Sequence, residues 1–335
     1  TLTFDAVSKV AEIYINGELA GSHIGMFGEI QVDGSKLLKS GKNLVVVKVV
    51  SKTDGSASES GSAAIDFFYS SVRESEKEDG KVSAKSNLLK DIAHGFYGDE
   101  PAGIWQPVKL TITSPLRVEN VFIKPSLDGA TFDLTVKNHG TKKNQFNLYT
   151  DIVDKENGSV LYSKLSLQKL VLNADEEKMF TYNINGLKPR LWTPNLYDFR
   201  FRLVAAKGHE LDCLTETSGF RTFEVKEGLF FLNGNRYWLR GGNHIPFALA
   251  PNDLNLANAF MQLMKAGNID VTRTHTTPWN KLWMGAADKN GIGVSFEGTW
   301  PWLMIHSTPL PDAKLIEMWK EEFLSLLKKY RNHPS

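Results

Sequence analysis

Apolar and polar positions alternate with a period of two through most of residues 1–225, and a helical period appears only after Glu227-Gly228. Ala11, Ile13 and Ile15 stand between polar neighbours, Asn16-Gly17 interrupts, and Val45, Val47 and Val49 resume the alternation after Gly41-Lys42-Asn43. Successive side chains of a strand point to opposite faces, so this pattern predicts half-buried sheet. Asn-Gly beside such a run predicts a tight hairpin. Polar stretches at 51–62 and 70–90, the second carrying Arg73-Glu74-Ser75-Glu76-Lys77-Glu78-Asp79, read as surface loops. Alternation returns over 104–112, a closing strand for the first segment, and Ser114-Pro115 punctuates it.

Residues 116–225 hold short alternating strands at close spacing, among them 118–123, 131–136, 178–182 and 197–203, each followed by turn residues. A hundred or so residues of this kind predict a small β-sandwich of immunoglobulin type. From 226 onward three apolar stripes carry the helical period: Leu256, Ala259, Phe260, Leu263 and Met264; Leu282, Trp283, Ala286 and Ala287; Ile316, Trp319, Phe323, Leu326, Leu327 and Tyr330. Gly267 and Gly291 stop the first two. Strand signals at 236–240, 269–272 and 292–296 precede them, and strand-helix repetition of this kind predicts a parallel βα architecture, as the first units of a barrel would show. Three units do not close one.

Each of these strand signals runs into polar groups: Asn243-His244 after the first, Arg273 and His275 after the second, Glu297 after the third. The C-terminal strand ends form the catalytic face of a barrel, so polar residues there read as chemistry. Arg273 calls for carboxylate partners, Glu297 being one. Trp300 and Trp302 follow and present rings suited to a sugar face.

Composition narrows the classes. Net charge is +1, from 39 basic and 38 acidic residues, which gives no electrostatic footprint for nucleic acid. No apolar run approaches the roughly 20 residues of a membrane span. A single cysteine, Cys213, excludes an intrachain disulfide or a cysteine-based metal cluster. Histidine pairs at zinc spacing, a phosphate-binding glycine loop and a nucleophile elbow are also lacking, so no metal or cofactor is called for. Eight Trp and nine Tyr suit carbohydrate. His23, in the first hairpin, reads as structural.

Several segments, in order, resemble glycoside hydrolase family 2, the β-galactosidase, β-glucuronidase and β-mannosidase group. They are Ile13-Tyr14-Ile15-Asn16-Gly17 with Gly21-Ser22-His23 and Gly25-Met26-Phe27, then Gly103-Ile104-Trp105-Gln106-Pro107-Val108, Gly219-Phe220-Arg221, Phe231-Leu232-Asn233-Gly234 and Leu239-Arg240-Gly241-Gly242-Asn243. The resemblance implies a jelly-roll sugar-binding-type domain over 1–115, an immunoglobulin-like sandwich over 116–225 and a partial TIM barrel over 226–335. It further implies a retaining exo-β-glycosidase for terminal β-linked sugars of oligosaccharides or glycoconjugates, with Asn243, His244, Arg273, His275, Glu297 and Trp300 binding substrate. Both catalytic glutamates of the family lie on later strands, and Arg331-Asn332-His333-Pro334-Ser335 resembles the segment just before the fourth. The chain by itself is then expected to be inactive. Two positions depart from the galactosidase and glucuronidase branch: His275 follows Arg273 by two residues instead of three, and Ile245 stands where that branch has a histidine. Gly242-Asn243-His244-Ile245-Pro246 is instead similar to the mannosidase branch. A non-catalytic carbohydrate-binding or assembly module is the alternative. A genuine 335-residue product would leave a parallel edge and apolar helix faces uncovered, which predicts aggregation or oligomerisation.

Overall fold

The computed structural model describes residues 1–50, 103–243, 250–274, 278–298 and 313–335. The two polar stretches within 51–102 lie outside these residues. The first segment contains β1 (Leu2–Phe4), β2 (Val7–Ile15), β3 (Glu18–Gly25), β4 (Ile30–Val32), β5 (Val45–Val50), β6 (Gly103–Ile104) and β7 (Val108–Leu110). They pair antiparallel as β4-β1-β7 and β3-β2-β5, with β6 on β2. The hairpin turns at Asn16 (φ 52°) and Gly17 (φ 92°), the pair of left-handed residues that a two-residue turn between right-twisted strands demands. Asn16 also accepts from the Leu44 N–H at 3.0 Å and donates to Leu37 O at 2.8 Å, holding the β5 approach in place. Val47 and Val49 pack on a core of Phe4, Val7, Ala11, Ile13 and Ile15, as the alternation predicts.

Two antiparallel sheets follow. One comprises β8 (Leu116–Pro125), β9 (Ala130–Asn138) and β12 (Glu177–Ile184); the other β10 (Asn144–Asp154), β11 (Val160–Leu172), β13 (Tyr197–Ala205) and β14 (Glu210–Ser218). Their inner faces share one core, so this stretch is a β-sandwich. Along β9 burial alternates strictly, placing Ala130, Phe132, Leu134 and Val136 inside. Phe132 sits at the aromatic centre, its ring 5.1 Å from Tyr182, 5.4 Å from Phe201 and 6.0 Å from Phe199. The Tyr182 hydroxyl meets Thr150 Oγ1 at 2.7 Å, so the polar tip of that buried ring is satisfied. Cys213 is exposed on β14.

The third segment opens with an antiparallel sheet of β15 (Phe223–Lys226), β16 (Leu229–Leu232) and β17 (Asn235–Arg236). A parallel sheet follows, β18 (Gly241–Asn243), β19 (Val271–Arg273) and β20 (Gly293–Ser295), interleaved with α1 (Leu254–Ala266), α2 (Lys281–Asn290) and α3 (Ala313–Tyr330). The strand signal at 236–240 therefore divides: Arg236 stays with the antiparallel sheet, and the parallel strand begins only at Gly241. Asp253 caps α1, its carboxylate accepting from the Leu256 N–H, and Asn280 caps α2 in the same way through Trp283. Gly291 ends α2 in the left-handed conformation (φ 69°), but after α1 Asn268, and not Gly267, adopts it (φ 56°). The buried face of α1 is rotated by about one residue from the predicted stripe, to Ala257, Met261 and Met264; Leu263 is 70% exposed. Met261 belongs to the core around Trp283 of α2, and that partner sets the face. No helix among the described residues is long and apolar enough to cross a membrane.

The first segment shares this last core. Ala6, Met26, Phe27 and Trp105 pack with Met261, Trp283, Leu326 and Tyr330. The predicted strand 104–112 breaks at Trp105 and Gln106, which turn into the contact: Trp105 Nε1 donates to Met26 O at 2.9 Å, and Gln106 Nε2 donates to Asn252 Oδ1 at 2.8 Å. Glu322, on the apolar stripe of α3 and 2% exposed, accepts from the N–H groups of Met26, Phe27 and Gly28 at 3.2, 2.9 and 2.8 Å. His23 Nε2 lies 3.3 Å from its second oxygen, so His23 has the structural role read from the sequence. Lys329 Nζ donates to Asp5 O at 2.7 Å and Phe27 O at 3.1 Å, and burial pushes its ammonium down to about 8.

Burial alone would raise the Glu322 carboxyl, but His23 and the loop N–H groups outweigh it and hold it below its ordinary value of 4.5. Such a group stabilises the fold above that value and loses its contribution as pH falls through the lower, folded-state value. The urea midpoint is therefore expected to fall on acidification below 4.5, and Glu322→Gln to fall less steeply over that window. Parallel slopes for the two proteins would refute this.

Candidate active-site wall

The parallel register sets the geometry. Gly241 pairs with Val271 and Asn243 with Arg273, which pairs in turn with Ser295. Asn243 and Arg273 thus stand side by side at the C-terminal ends of β18 and β19, and Glu297 follows β20 by two residues. The close approach of the first two strands needs a glycine, because a Cβ on Gly241 would lie 2.0 Å from Val271 O.

Arg273 joins the three. Its Nη1 donates to Asn243 Oδ1 at 3.3 Å, and its Nη2 lies 2.8 Å from Glu297 Oε2. The guanidinium is nearly half exposed, so the ion pair contributes no more than about 1 kcal/mol to stability. Its value is orientation: a planar fork held by a carboxylate on one side still turns donors to solvent.

Thr274, which carries no motif in the sequence, holds Glu297 from behind. Its buried Oγ1 accepts from the Glu297 N–H at 2.9 Å and donates to Glu297 O at 3.2 Å. One hydroxyl thus fixes the backbone of the residue that meets Arg273. At the opposite ends of the same strands Arg240 Nε donates to Asp270 Oδ2 at 2.9 Å. Of the predicted site residues, Asn243, Arg273 and Glu297 come together; His244, His275 and Trp300 lie outside the described residues, as does Trp302.

The segment 331–335 also meets the parallel sheet. Val294 N–H of β20 donates to Ser335 O at 2.8 Å, on the side of β20 away from β19. Asn332 Oδ1 accepts from the Ile123 N–H and its Nδ2 donates to Val121 O, both at 3.0 Å. His333 Nδ1 meets buried Asp288 at 2.5 Å, and Arg221 Nε donates to Pro334 O. Four neighbouring residues are thus tied to the fold, His333 and Ser335 both through Asp288.

The sequence profile described as Glycosyl hydrolases family 2 matches residues 116–221. A β-galactosidase of Priestia megaterium is 26% identical over 361 aligned positions that take in the whole of this chain and 31% of that protein. The chain is related to the glycosyl hydrolases of family 2. A β-galactosidase of Kluyveromyces lactis is 25% identical, covering 88% of this chain and 27% of its own length. The chain spans less than a third of the length of these curated relatives. The crystal structure of Bacteroides uniformis β-glucuronidase superposes with a TM-score of 0.73 at 23% identity, over 99% of this chain and 37% of that one. A further family 2 β-glucuronidase superposes with a TM-score of 0.75 at 21% identity, over 99% and 34%. These likenesses establish the fold shared with family 2 structures.

Proposed function

We propose that this chain is the N-terminal portion of a retaining exo-β-glycosidase of family 2, β-galactosidase-like in substrate, and that it supplies one wall of the sugar pocket. The meeting of Asn243, Arg273 and Glu297 at one set of parallel strand ends carries the proposal. On this reading the parallel strands are the first three of a TIM barrel, and the arrangement at Val294 and Ser335 supports a fourth strand joining at the β20 edge. Arg273, steered by Glu297, donates to sugar hydroxyls, Asn243 both donates and accepts, and His244, His275 and Trp300 complete the wall. Retention needs two carboxyl groups about 5 to 5.5 Å apart. Glu297, bound to Arg273 and to Thr274, is committed to support, so both reacting carboxyls belong to later strands.

Nitrophenyl β-glycosides test this. The chain alone should release no nitrophenol, whereas a protein extended through the remaining strands should cleave the β-galactoside with retention at the anomeric carbon, read by proton NMR. In that extended protein Arg273→Lys, which keeps the charge and loses the fork, should lower kcat/KM by about 10- to 100-fold. Turnover by the chain alone would overturn the assignment of the reacting groups.

A further inference from the structure

Neighbouring residues of α3 touch two distant places. Glu322 receives the three consecutive N–H groups of Met26, Phe27 and Gly28, while Phe323 lies against Gly298, where an added Cβ would fall 2.6 Å from Phe323 Cδ2. Gly298 directly follows Glu297, whose carboxylate holds Arg273. Both ends of this path are held by further hydrogen bonds. The 26–28 loop is held from behind by Trp105 Nε1 on Met26 O and Lys329 Nζ on Phe27 O, and Glu297 by the Thr274 hydroxyl. The loop is also bare where the carboxylate enters: a Cβ on Gly25 or Gly28 would lie 2.5 or 2.4 Å from Glu322 Oε2. A side chain at either position would displace the Glu322 carboxylate.

We propose that Glu322 is a positioning residue for the strand-end site. By fixing α3 against the first segment it sets where Phe323 presses on Gly298, and so where Glu297 meets Arg273. The first segment then shapes the pocket from a distance, through α3. The significance for a sugar rests on the proposed function, but the coupling itself is geometric and is tested without turnover.

Hydrogen exchange followed by mass spectrometry on this chain reads both ends at once. Glu322→Ala leaves three donors unpaired, and exchange is expected to rise about tenfold at 23–30 and also at 293–298, while β9 and β10 stay protected. Excess sodium formate, small enough to enter the vacated space, should restore both regions together, and sodium chloride at the same concentration neither. Because coupling is reciprocal, Gly298→Ala, which displaces Phe323, should loosen 23–30 from the other side. Looser 23–30 with 293–298 unchanged in Glu322→Ala would overturn the proposal. If that variant unfolds throughout, the decision falls to Gly298→Ala, where wild-type exchange at 23–30 would overturn it equally.

Discussion

Gly241→Ala is expected to separate β18 from β19. The added methyl would stand 2.0 Å from Val271 O, a backbone atom with no rotamer to yield, so the strands must part or the pairing must slip. Backbone displacement of this kind costs about 3 kcal/mol or more, at the upper end of single-residue effects. A fall in urea midpoint of that size should accompany faster exchange at 271–274, because the Asn243 and Arg273 register is lost with the pairing. Gly285, where an added methyl would meet nothing within 4 Å, is the control: Gly285→Ala, in the middle of α2, should stabilise slightly. A stable, normally protected Gly241→Ala protein would mean that the parallel sheet is built differently.

Phe132→Ala should cost about 3 to 5 kcal/mol, the range for emptying an aromatic site in a packed core. Phe132 is fully buried and touches rings from both sheets, Tyr182 on its own and Phe199 and Phe201 opposite. With Cys213 alone on an outer strand, these rings perform the tie between sheets that a disulfide would supply elsewhere. Phe132→Leu should retain much of the stability, since a branched aliphatic refills most of the space. Urea unfolding followed by circular dichroism measures both, and a loss under about 1 kcal/mol for the alanine variant would place the weight of the core elsewhere.

These two sites also mark how much of the fold is legible in the sequence. Strict alternation over 131–136 has one structural solution, and β9 follows it. Asn16-Gly17 is legible because its turn tolerates few residue pairs. The face of α1 is not, because Leu254 to Ala266 is apolar on several sides and Trp283 of another helix chooses among them. Residues 236–240 mislead because a period of two says nothing about which sheet a strand joins. In the site, Arg273 and Glu297 stand out as charges at strand ends, whereas Thr274 has no signal beyond a common residue type. Glu322 carries one, a carboxylate set among Trp319, Phe323 and Leu326, but its partners lie almost the whole chain away in Met26, Phe27 and Gly28.

Asn332 has a consequence for how copies of this chain behave in company. An outer strand such as β8 offers a row of unsatisfied amides and carbonyls, and any extended peptide can dock there and seed a fibre. One side-chain amide, accepting from Ile123 and donating to Val121, reproduces the paired bonds of a visiting strand in the middle of that row. That part of the sandwich edge is thereby occupied by Asn332 of the same chain, and a variant lacking that amide exchanges a quiet border for an adhesive one.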